Sequence, residues 1–238
     1  MNSFKAIIFD LDGTLIDSVP DVRAAVNRVL DEIGRPSLSL EDITGMIGEG
    51  AQVMLKKVME QTGGYTPDME EEYLGRFLET YKAHPADHTL VYPGVFNVLD
   101  QLKADGISLG LCTNKPSTTT LPAVAALDLE KYFEAIVCAD MVKHRKPDGR
   151  HLLNILERMG ADPKSAVMVG DSETDIAAAV DAGLPAIAVS YGYCHVPLDE
   201  LPCDILIDNM SELPRHPKYN TIQKRGSNRY GRDRLFQI

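Results

Sequence analysis

Short apolar runs recur along the chain, and each leads into a polar or acidic residue. The runs cover residues 5–10, 107–112, 135–139, 166–170, 186–190 and 204–207. Because they are continuous rather than alternating, they indicate strands buried on both faces of a parallel sheet. Helical stretches separate them at residues 94–104, 117–126, 150–159 and 174–182. Strands that alternate with helices predict an α/β fold with a doubly wound, mainly parallel sheet.

One long interval after the first run breaks this alternation. It contains no strand-like run, and amphipathic helices are predicted there at residues 21–33, 50–61 and 69–83. A structureless loop of that length is uncommon inside a compact domain. The pattern therefore predicts a helical domain at 18–90, inserted into a core formed by 1–17 and 91–213. Linkers near Ser18 and near residues 88–94 would place the helices above the strand ends.

Composition narrows the class of protein. With 44% hydrophobic residues, 18 glycines, 14 prolines and four cysteines in 238 residues, the chain is neither disordered throughout, nor collagen-like, nor a disulfide scaffold. No apolar run approaches the roughly 18 residues that span a bilayer, and residues 1–8 are interpreted as the start of the first strand, not as a signal peptide. Cys112 and Cys138 lie inside apolar runs, which is typical of buried thiols in a reducing cytoplasm. We therefore expect a cytoplasmic protein without a membrane partner.

The net charge of −11 argues against nonspecific binding to nucleic acid. The charge is uneven, because residues 214–238 contain seven Lys or Arg and one acid, whereas residues 1–213 carry a net charge of −17. The basic tail has the composition of a disordered, solvated extension, and an anion-binding or partner-binding arm is the alternative. The acidic body can bind an anionic substrate only through a cation or a local basic cluster.

The first run ends in a pair of acids before a glycine. If the strand continues through Asp10 and Asp12, both side chains point to the same side, and Gly13 permits the tight turn that follows. An ordinary Asp-Gly turn at a strand end has the same pattern. These residues alone therefore leave both interpretations open.

A second pair of acids follows another buried run. Asp171 comes directly after 166–170, and Asp175 lies about one helical turn later. Asp171 also has the position of a helix N-cap, so a capping role stays open on this pattern alone. Because ligands of parallel sheets lie beyond the carboxyl ends of the strands, three or four carboxylates would converge there. Two unit charges 4 Å apart interact by about 4 kcal/mol at an effective dielectric of 20, so the cluster requires a hard divalent cation, of which Mg²⁺ fits best.

Polar residues at two further strand ends can bind an anion. Thr113 and Asn114 follow the run 107–112, and their hydroxyl and amide groups suit hydrogen bonds to phosphate oxygens before a helix. Lys146 follows the run 135–139, and the next residue, a proline, restrains its backbone. A lone lysine is usually a solvated charge, so only the wider pattern selects Lys146 from the basic segment 143–146.

Together these residues resemble the motifs of one family. The set is similar to the four motifs of the haloacid dehalogenase (HAD) superfamily, in the branch with a helical cap after the first strand. The motifs are Asp10-Leu11-Asp12-Gly13-Thr14-Leu15, Thr113-Asn114, Lys146-Pro147 and Gly170-Asp171 with Asp175. The resemblance covers residues 4–210. Within the superfamily, segments 17–21, 48–51 and 113–116 most resemble phosphoglycolate phosphatases.

The resemblance implies a Mg²⁺-dependent phosphatase that acts on a small phosphate ester, with 2-phosphoglycolate as the best candidate. It implies that Asp10 is the nucleophile that forms an aspartyl-phosphate and that Asp12 is the general acid and base. It assigns the phosphoryl oxygens to Thr113 and Asn114, and the compensation of phosphate charge to Lys146. The implied metal ligands are Asp10, Asp12 through its main-chain carbonyl, Asp171 and, in support, Asp175.

Two segments depart from the family's usual pattern. The family often has Lys-Pro-x-Pro where residues 146–149 are Lys-Pro-Asp-Gly, and Gly-Asn-Gly where residues 48–50 are Gly-Glu-Gly. The first departure affects the turn beside the lysine. The second places the acid Glu49 in a segment that is expected to face substrate.

Other activities share much of this pattern. A phosphosugar mutase would return the phosphoryl group to its substrate, and a dehalogenase would release halide. A signalling receiver domain would be phosphorylated on a strand-end Asp without turnover. Asp12 and the predicted metal cluster count against the dehalogenase, and the inserted helices count against the receiver.

Overall fold

A six-stranded parallel sheet forms the middle layer of the fold in a computed structural model that describes residues 4–215. In chain order the strands are β1 (Ala6–Phe9), β2 (Ile16–Asp17), β3 (Leu90–Val91), β4 (Ser108–Cys112), β5 (Ala135–Val137), β6 (Ala166–Gly170), β7 (Ala186–Val189) and β8 (Ile205–Ile207). The order across the sheet is β5-β4-β1-β6-β7-β8, so the chain winds outward from β1 in both directions. The predicted doubly wound parallel sheet is therefore confirmed.

Helices connect these strands. They are α1 (Val19–Glu32), α2 (Leu40–Thr44), α3 (Ala51–Thr62), α4 (Asp68–Ala83), α5 (Val95–Ala104), α6 (Ser117–Ala126), α7 (Arg150–Met159) and α8 (Glu173–Ala182). Every helix predicted from the sequence is present, and α2 is an additional short one. The expectation that no strand follows β1 before α5 is wrong, because β2 and β3 form a separate antiparallel pair there. Each has two residues, which is too short for an apolar run to be recognised.

The continuous apolar runs result from burial of both sheet faces. In β1, Ile7 and Phe9 belong to the hydrophobic layer that includes α5, while Ala6 and Ile8 belong to the layer that includes α7 and α8. All four residues are fully buried. Because successive side chains of a strand point to opposite faces, a strand between two helical layers needs an apolar residue at every position.

The helices α1 to α4 bury a hydrophobic cluster of their own. Val26, Ile43, Leu55 and Phe77 contribute to it, one from each helix, and Tyr193 joins it from the loop after β7. These residues are separate from the two clusters that cover the sheet faces. The helical region therefore has an apolar interior that does not depend on the sheet layers.

The chain enters and leaves the helical region side by side. The short strands β2 and β3 pair at this point. The buried carboxylate of Asp21, on α1, accepts hydrogen bonds from the main-chain N–H groups of His88 and Thr89 at 2.7–3.0 Å and from the Thr89 hydroxyl at 2.6 Å. Asp21 thereby ties the outgoing segment to the first helix.

Two sequence expectations concern the membrane and the tail. No helix in residues 4–215 is long and apolar enough to cross a bilayer. The predicted disordered basic tail, 214–238, lies outside the described residues from position 216 onward.

Alanine substitutions at two glycines should change the stability of the protein in opposite directions. Gly75 lies in the middle of α4 with nothing within 4 Å of an added Cβ, so we expect Gly75→Ala to stabilise the protein by about 0.5–1 kcal/mol. A Cβ on Gly149 would lie 2.4 Å from the main-chain nitrogen of Ala182, so Gly149→Ala should destabilise by about 1–3 kcal/mol. Urea unfolding measures both changes. Equal effects of the two substitutions would contradict the packing of α7 against α8.

Candidate active site

The strand ends at the centre of the sheet bring the sequence-predicted residues together. Asp10 follows β1, Thr113 follows β4 and Asp171 follows β6, and β1 lies between the other two strands. The strand order reverses at this point of a doubly wound sheet, which leaves a crevice for a ligand. The fold therefore places these three side chains at one edge of the sheet.

Three carboxylates form the centre of the site. Oxygen atoms of Asp10, Asp171 and Asp175 all lie within 4.8 Å of one another. Asp171 and Asp175 are buried. Burial raises the pKa of Asp10 to about 7, an effect that Lys146 opposes and Asp175 adds to. Burial, together with the charges of Asp175 and Asp10, also holds the pKa of Asp171 well above its usual value.

Lys146 neutralises part of this charge. Its Nζ lies 2.8 Å from Asp10 Oδ1, an ion pair without the angle of a hydrogen bond, and it donates to Asp175 Oδ1 at 2.6 Å and to the Cys112 carbonyl at 2.9 Å. Burial lowers the pKa of Lys146, but the carboxylates of Asp10 and Asp175 outweigh burial and raise it overall. In the basic segment 143–146, Lys146 is the buried member, as the motif pattern predicts.

Asp171 is held between two main-chain segments. Its Oδ1 accepts from the Thr14 hydroxyl at 2.8 Å, and its Oδ2 accepts from the Tyr193 N–H at 2.7 Å. A Cβ on Gly13 would lie 2.2 Å from Asp171 Oδ2, and one on Gly192 would lie 2.2 Å from Asp171 Cβ. Gly13 also has a φ of +85°, which favours glycine. Sequence reasoning missed Gly192, because its neighbours in the chain form no motif.

Asp175 has a different set of contacts. Ser172, not Asp171, is the N-cap of α8, and it forms a capping box with Asp175. The alternative that Asp171 caps this helix is therefore wrong. Asp175 Oδ2 accepts from the Ser172 N–H and hydroxyl, while Oδ1 binds Lys146. Both oxygens of Asp175 thus have partners within the protein.

Asp12 lies apart from this carboxylate cluster, on the side that faces the helices. Its Oδ1 accepts hydrogen bonds from the Ser18 hydroxyl and, at 2.8 Å, from Lys115 Nζ. Lys115 also donates to the Tyr81 hydroxyl, on α4, at 2.6 Å. Burial lowers the pKa of Lys115, but Asp12 and Tyr81 outweigh burial and raise it overall. Sequence reasoning gave Lys115 no role, although its position directly after Asn114 was a usable signal.

Thr113 and Asn114 are buried at the end of β4. The Thr113 hydroxyl accepts from the Lys115 N–H at 3.1 Å. Asn114 Nδ2 donates to the carbonyls of Lys146 at 2.9 Å and Gly48 at 3.4 Å, and Asn114 Oδ1 has no hydrogen-bond partner among the described residues. Asn114 therefore links the Lys146 loop to the helical region. Its contact with a phosphate oxygen stays a prediction.

A pocket opens between the strand ends and the helices. Its helical wall is mainly apolar and is formed by Val22, Ile47, Met54, Phe77 and Tyr81. Gly48 and Gly50 line the pocket. The Glu49 side chain instead bonds Lys57 at 2.6 Å in an exposed ion pair. The segment therefore lines the pocket through its glycines, whereas its acid does not.

A comparison with known proteins identifies the family of this chain. Residues 7–189 match the family model of haloacid dehalogenase-like hydrolases. The chain belongs to this family. This HAD-like hydrolase is 39% identical over 207 residues to a phosphoglycolate phosphatase of Agrobacterium fabrum, which covers 87% of the chain and 89% of the relative. It is 40% identical over 210 residues to a phosphoglycolate phosphatase of Cereibacter sphaeroides, which covers 87% and 95%. The resemblance inferred from the motifs is confirmed.

Solved structures share the fold of this HAD-like hydrolase. A predicted phosphoglycolate phosphatase from Haemophilus somnus has a TM-score of 0.85 at 29% identity, covering 90% of this chain and 98% of that one. CbbY from Rhodobacter sphaeroides, in complex with phosphate, has a TM-score of 0.77 at 24% identity, covering 88% and 96%. The second comparison concerns the fold alone.

The structure explains one departure of this HAD-like hydrolase from the family pattern. Gly149 stands where the family often has the second proline of Lys-Pro-x-Pro. Its N–H donates to Asp181 Oδ2 at 2.8 Å, and a Cβ there would lie 2.4 Å from the main-chain nitrogen of Ala182. Proline has a Cβ and no N–H, so it does not fit against α8 here.

His151 behind Lys146 makes folding stability depend on pH. Its Nδ1 accepts from the Lys146 N–H at 3.2 Å, and burial, with the charge of Lys146, lowers its pKa from 6.5 to about 4. Below pH 6.5 the unfolded chain binds a proton at position 151 that the folded protein excludes, so the contribution of His151 to the free energy of unfolding falls by up to about 3 kcal/mol as pH drops from 6.5 towards 4. The raised pKa values of Asp10 and Asp171 act in the opposite direction over this range. In His151→Asn the amide oxygen can replace Nδ1 as the acceptor, and we expect the wild type to lose stability relative to this variant as pH drops from 6.5 towards 4. Urea unfolding across this range compares the two slopes, and parallel slopes would contradict the assignment.

Proposed function

We propose that this chain is a Mg²⁺-dependent phosphatase that hydrolyses a small phosphate monoester, with 2-phosphoglycolate as the best candidate, through an aspartyl-phosphate. The observation that carries the proposal is the cluster in which Asp10 adjoins two buried carboxylates and Lys146 at the end of a pocket. Relatives named phosphoglycolate phosphatase at 39–40% identity support the substrate class.

The donor set fits a hard divalent cation. Mg²⁺ prefers oxygen ligands and is usually bound through one or two carboxylates. Asp10 Oδ1 is a buried acceptor without a hydrogen bond, and the oxygens of Asp171 and Asp175 lie within 4.8 Å of those of Asp10. Asp10, Asp171 and the main-chain carbonyl of Asp12 would hold the ion, and Asp175 would support the site through its bonds to Lys146 and Ser172. When bound, Mg²⁺ offsets the negative charge of the cluster and of the phosphate.

Asp10 acts as the nucleophile in this proposal. Its carboxylate oxygen bonds to phosphorus as the bond from phosphorus to the leaving oxygen breaks. Since burial raises the pKa of Asp10 to about 7, cations beside it favour the ionised form that reacts. Lys146 contacts Asp10 directly and can offset the charge of the phosphoryl oxygens, which Thr113 and Asn114 would hold.

Asp12 exchanges the proton that the reaction requires. It protonates the leaving alkoxide and then accepts a proton from the water that attacks the aspartyl-phosphate, which releases phosphate and restores Asp10. Ser18 and Lys115 bind Asp12 Oδ1, whereas Oδ2 accepts no hydrogen bond within residues 4–215. This arrangement supports Oδ2 as the oxygen that carries the proton.

The helical region would act as a cap. We assign 18–90 to this cap and 1–17 with 91–213 to the catalytic core. The separate hydrophobic cluster of α1 to α4 and its wall of the pocket support this division. A closed cap would exclude water until the substrate is in place. The four cysteines are free thiols, which supports a reducing, cytoplasmic location.

Replacement of the nucleophile tests this function. Asp10→Asn keeps the shape of the side chain but removes the negative charge that attacks phosphorus, so we expect hydrolysis of 2-phosphoglycolate and p-nitrophenyl phosphate to fall to background. Circular dichroism should show an unchanged fold. Wild-type turnover by this variant would rule out Asp10 as the nucleophile.

The metal site has its own test. EDTA should abolish phosphate release and added Mg²⁺ should restore it. Gly192→Ala pushes against Asp171, so the Mg²⁺ concentration that gives half-maximal activity should rise about 10- to 100-fold, as for other losses of ligand orientation. Gly75→Ala, on the exposed side of the helical region, is the control and should need the same Mg²⁺ as wild type. Activity that persists in EDTA would contradict the metal assignment.

A further inference from the structure

Lys115 is a buried lysine with unused hydrogen-bonding capacity. Its Nζ lies 2.8 Å from Asp12 Oδ1, 2.6 Å from the Tyr81 hydroxyl and 4.6 Å from the centre of the Tyr81 ring. An ammonium group has three N–H donors, and Lys115 Nζ has no third acceptor among residues 4–215. One donor of Lys115 therefore stays available to a ligand in the pocket that this residue lines.

Lys146 differs from Lys115 in this respect. Three oxygens surround its Nζ, from Asp10, Asp175 and the Cys112 carbonyl, at 2.6–2.9 Å. Lys146 is not among the residues that line the pocket, whereas Lys115 is. Lys146 therefore lies beside Asp10, the proposed nucleophile, whereas Lys115 lies beside Asp12, the proposed general acid.

Within residues 4–215, Lys115 is the one positively charged side chain that lines the pocket. Its charged lining residues are Asp10, Asp12 and Lys115, and its remaining lining residues are neutral. The apolar wall removes water from a bound group, and a desolvated anion needs a charge-assisted hydrogen bond to compensate. Lys115 is thus the lining residue that can donate a charge-assisted hydrogen bond to a bound anion.

We propose that Lys115 is a specificity-determining residue that binds a carboxylate on the leaving group, which restricts the preferred substrates to phosphate monoesters of small 2-hydroxy acids. The inference rests on the proposed phosphatase function. It adds the residue that would bind the leaving group, which family membership alone does not identify.

The spacing of the site favours a short hydroxy acid. Asp12, which protonates the leaving oxygen in the proposed mechanism, is bonded directly to Lys115. The substrate atoms that meet Asp12 and Lys115 must therefore also be close together. In a 2-hydroxy acid the carboxylate carbon is two bonds from the leaving oxygen, so both groups can be bound at once. A longer spacer would carry the carboxylate past Lys115 toward the apolar wall.

A matched pair of substrates tests this assignment. The amide 2-phosphoglycolamide has nearly the shape of 2-phosphoglycolate but no negative charge on the leaving group. We expect the wild type to prefer the acid by about 10- to 100-fold in kcat/KM, the range for hydrogen bonds to a charged group. Lys115→Met should reduce this preference to about threefold or less, mainly through KM for the acid, and Lys115→Arg should retain most of it. Because each preference is a ratio within one preparation, it does not depend on the folded fraction.

Controls separate this role from a structural one. Lys56→Met removes an exposed lysine on α3 and should keep the wild-type preference. If Lys115→Met lowers kcat/KM equally for acid and amide, Lys115 only positions Asp12 and the proposal is overturned. If Lys115→Met does not fold, Lys115→Gln is assayed in its place. Wild-type enzyme that hydrolyses p-nitrophenyl phosphate but does not favour the acid also overturns the proposal, while the phosphatase function stands. Absence of activity on all three esters would instead overturn the phosphatase function.

Discussion

The buried charges at the end of β1 constrain the rest of the molecule. Asp10, Asp171 and Asp175 place three carboxylates within a few ångströms in an apolar interior, and Lys146 is the ammonium that contacts two of them. Such a group is stable only if each charge keeps its partners, since the loss of one member of a buried ion pair costs about 3–5 kcal/mol. The surrounding loops are therefore shaped to hold these four side chains, through the Cys112 carbonyl, the Thr14 hydroxyl and the Tyr193 N–H.

The buried acids also require the main chain to approach them closely. Gly13 and Gly192 press on Asp171 from two loops, and Gly170 leaves room for Asp175, where a Cβ would lie 2.4 Å from the carboxylate carbon. Each acid is thus surrounded by backbone, and side-chain motion has little space. In the proposed mechanism, rigid placement of these acids favours attack on phosphorus along one line, because the orientation of the site is established before the substrate binds.

Two layers of the structure contribute different groups to the pocket. The sheet edge supplies the carboxylate cluster and Lys146, whereas α1, α3 and α4 supply apolar surface and the Tyr81 hydroxyl. Lys115 joins the two layers, because it belongs to the sheet edge yet contacts both Asp12 and Tyr81. In the proposed function, substrate preference can therefore respond to the position of the helices without any change in the groups that would act on phosphorus.

The sequence by itself determined the sheet, the helices around it and the acids at the strand ends. A strand buried on both faces must be apolar at every position, as β1 is, and this signal is local to the chain. The two-residue strands β2 and β3 carry no such signal, since two residues do not form a recognisable run. Only the tertiary structure decided that Ser172 rather than Asp171 caps α8, that Glu49 pairs with Lys57 outside the pocket, and that Lys115 meets Asp12. The contact of Lys115 with Asp12 joins residues 103 positions apart, and a local pattern contains no information about which distant group will neutralise a charge. The other two contacts join residues three and eight positions apart, and they depend on the side-chain directions that the folded chain sets.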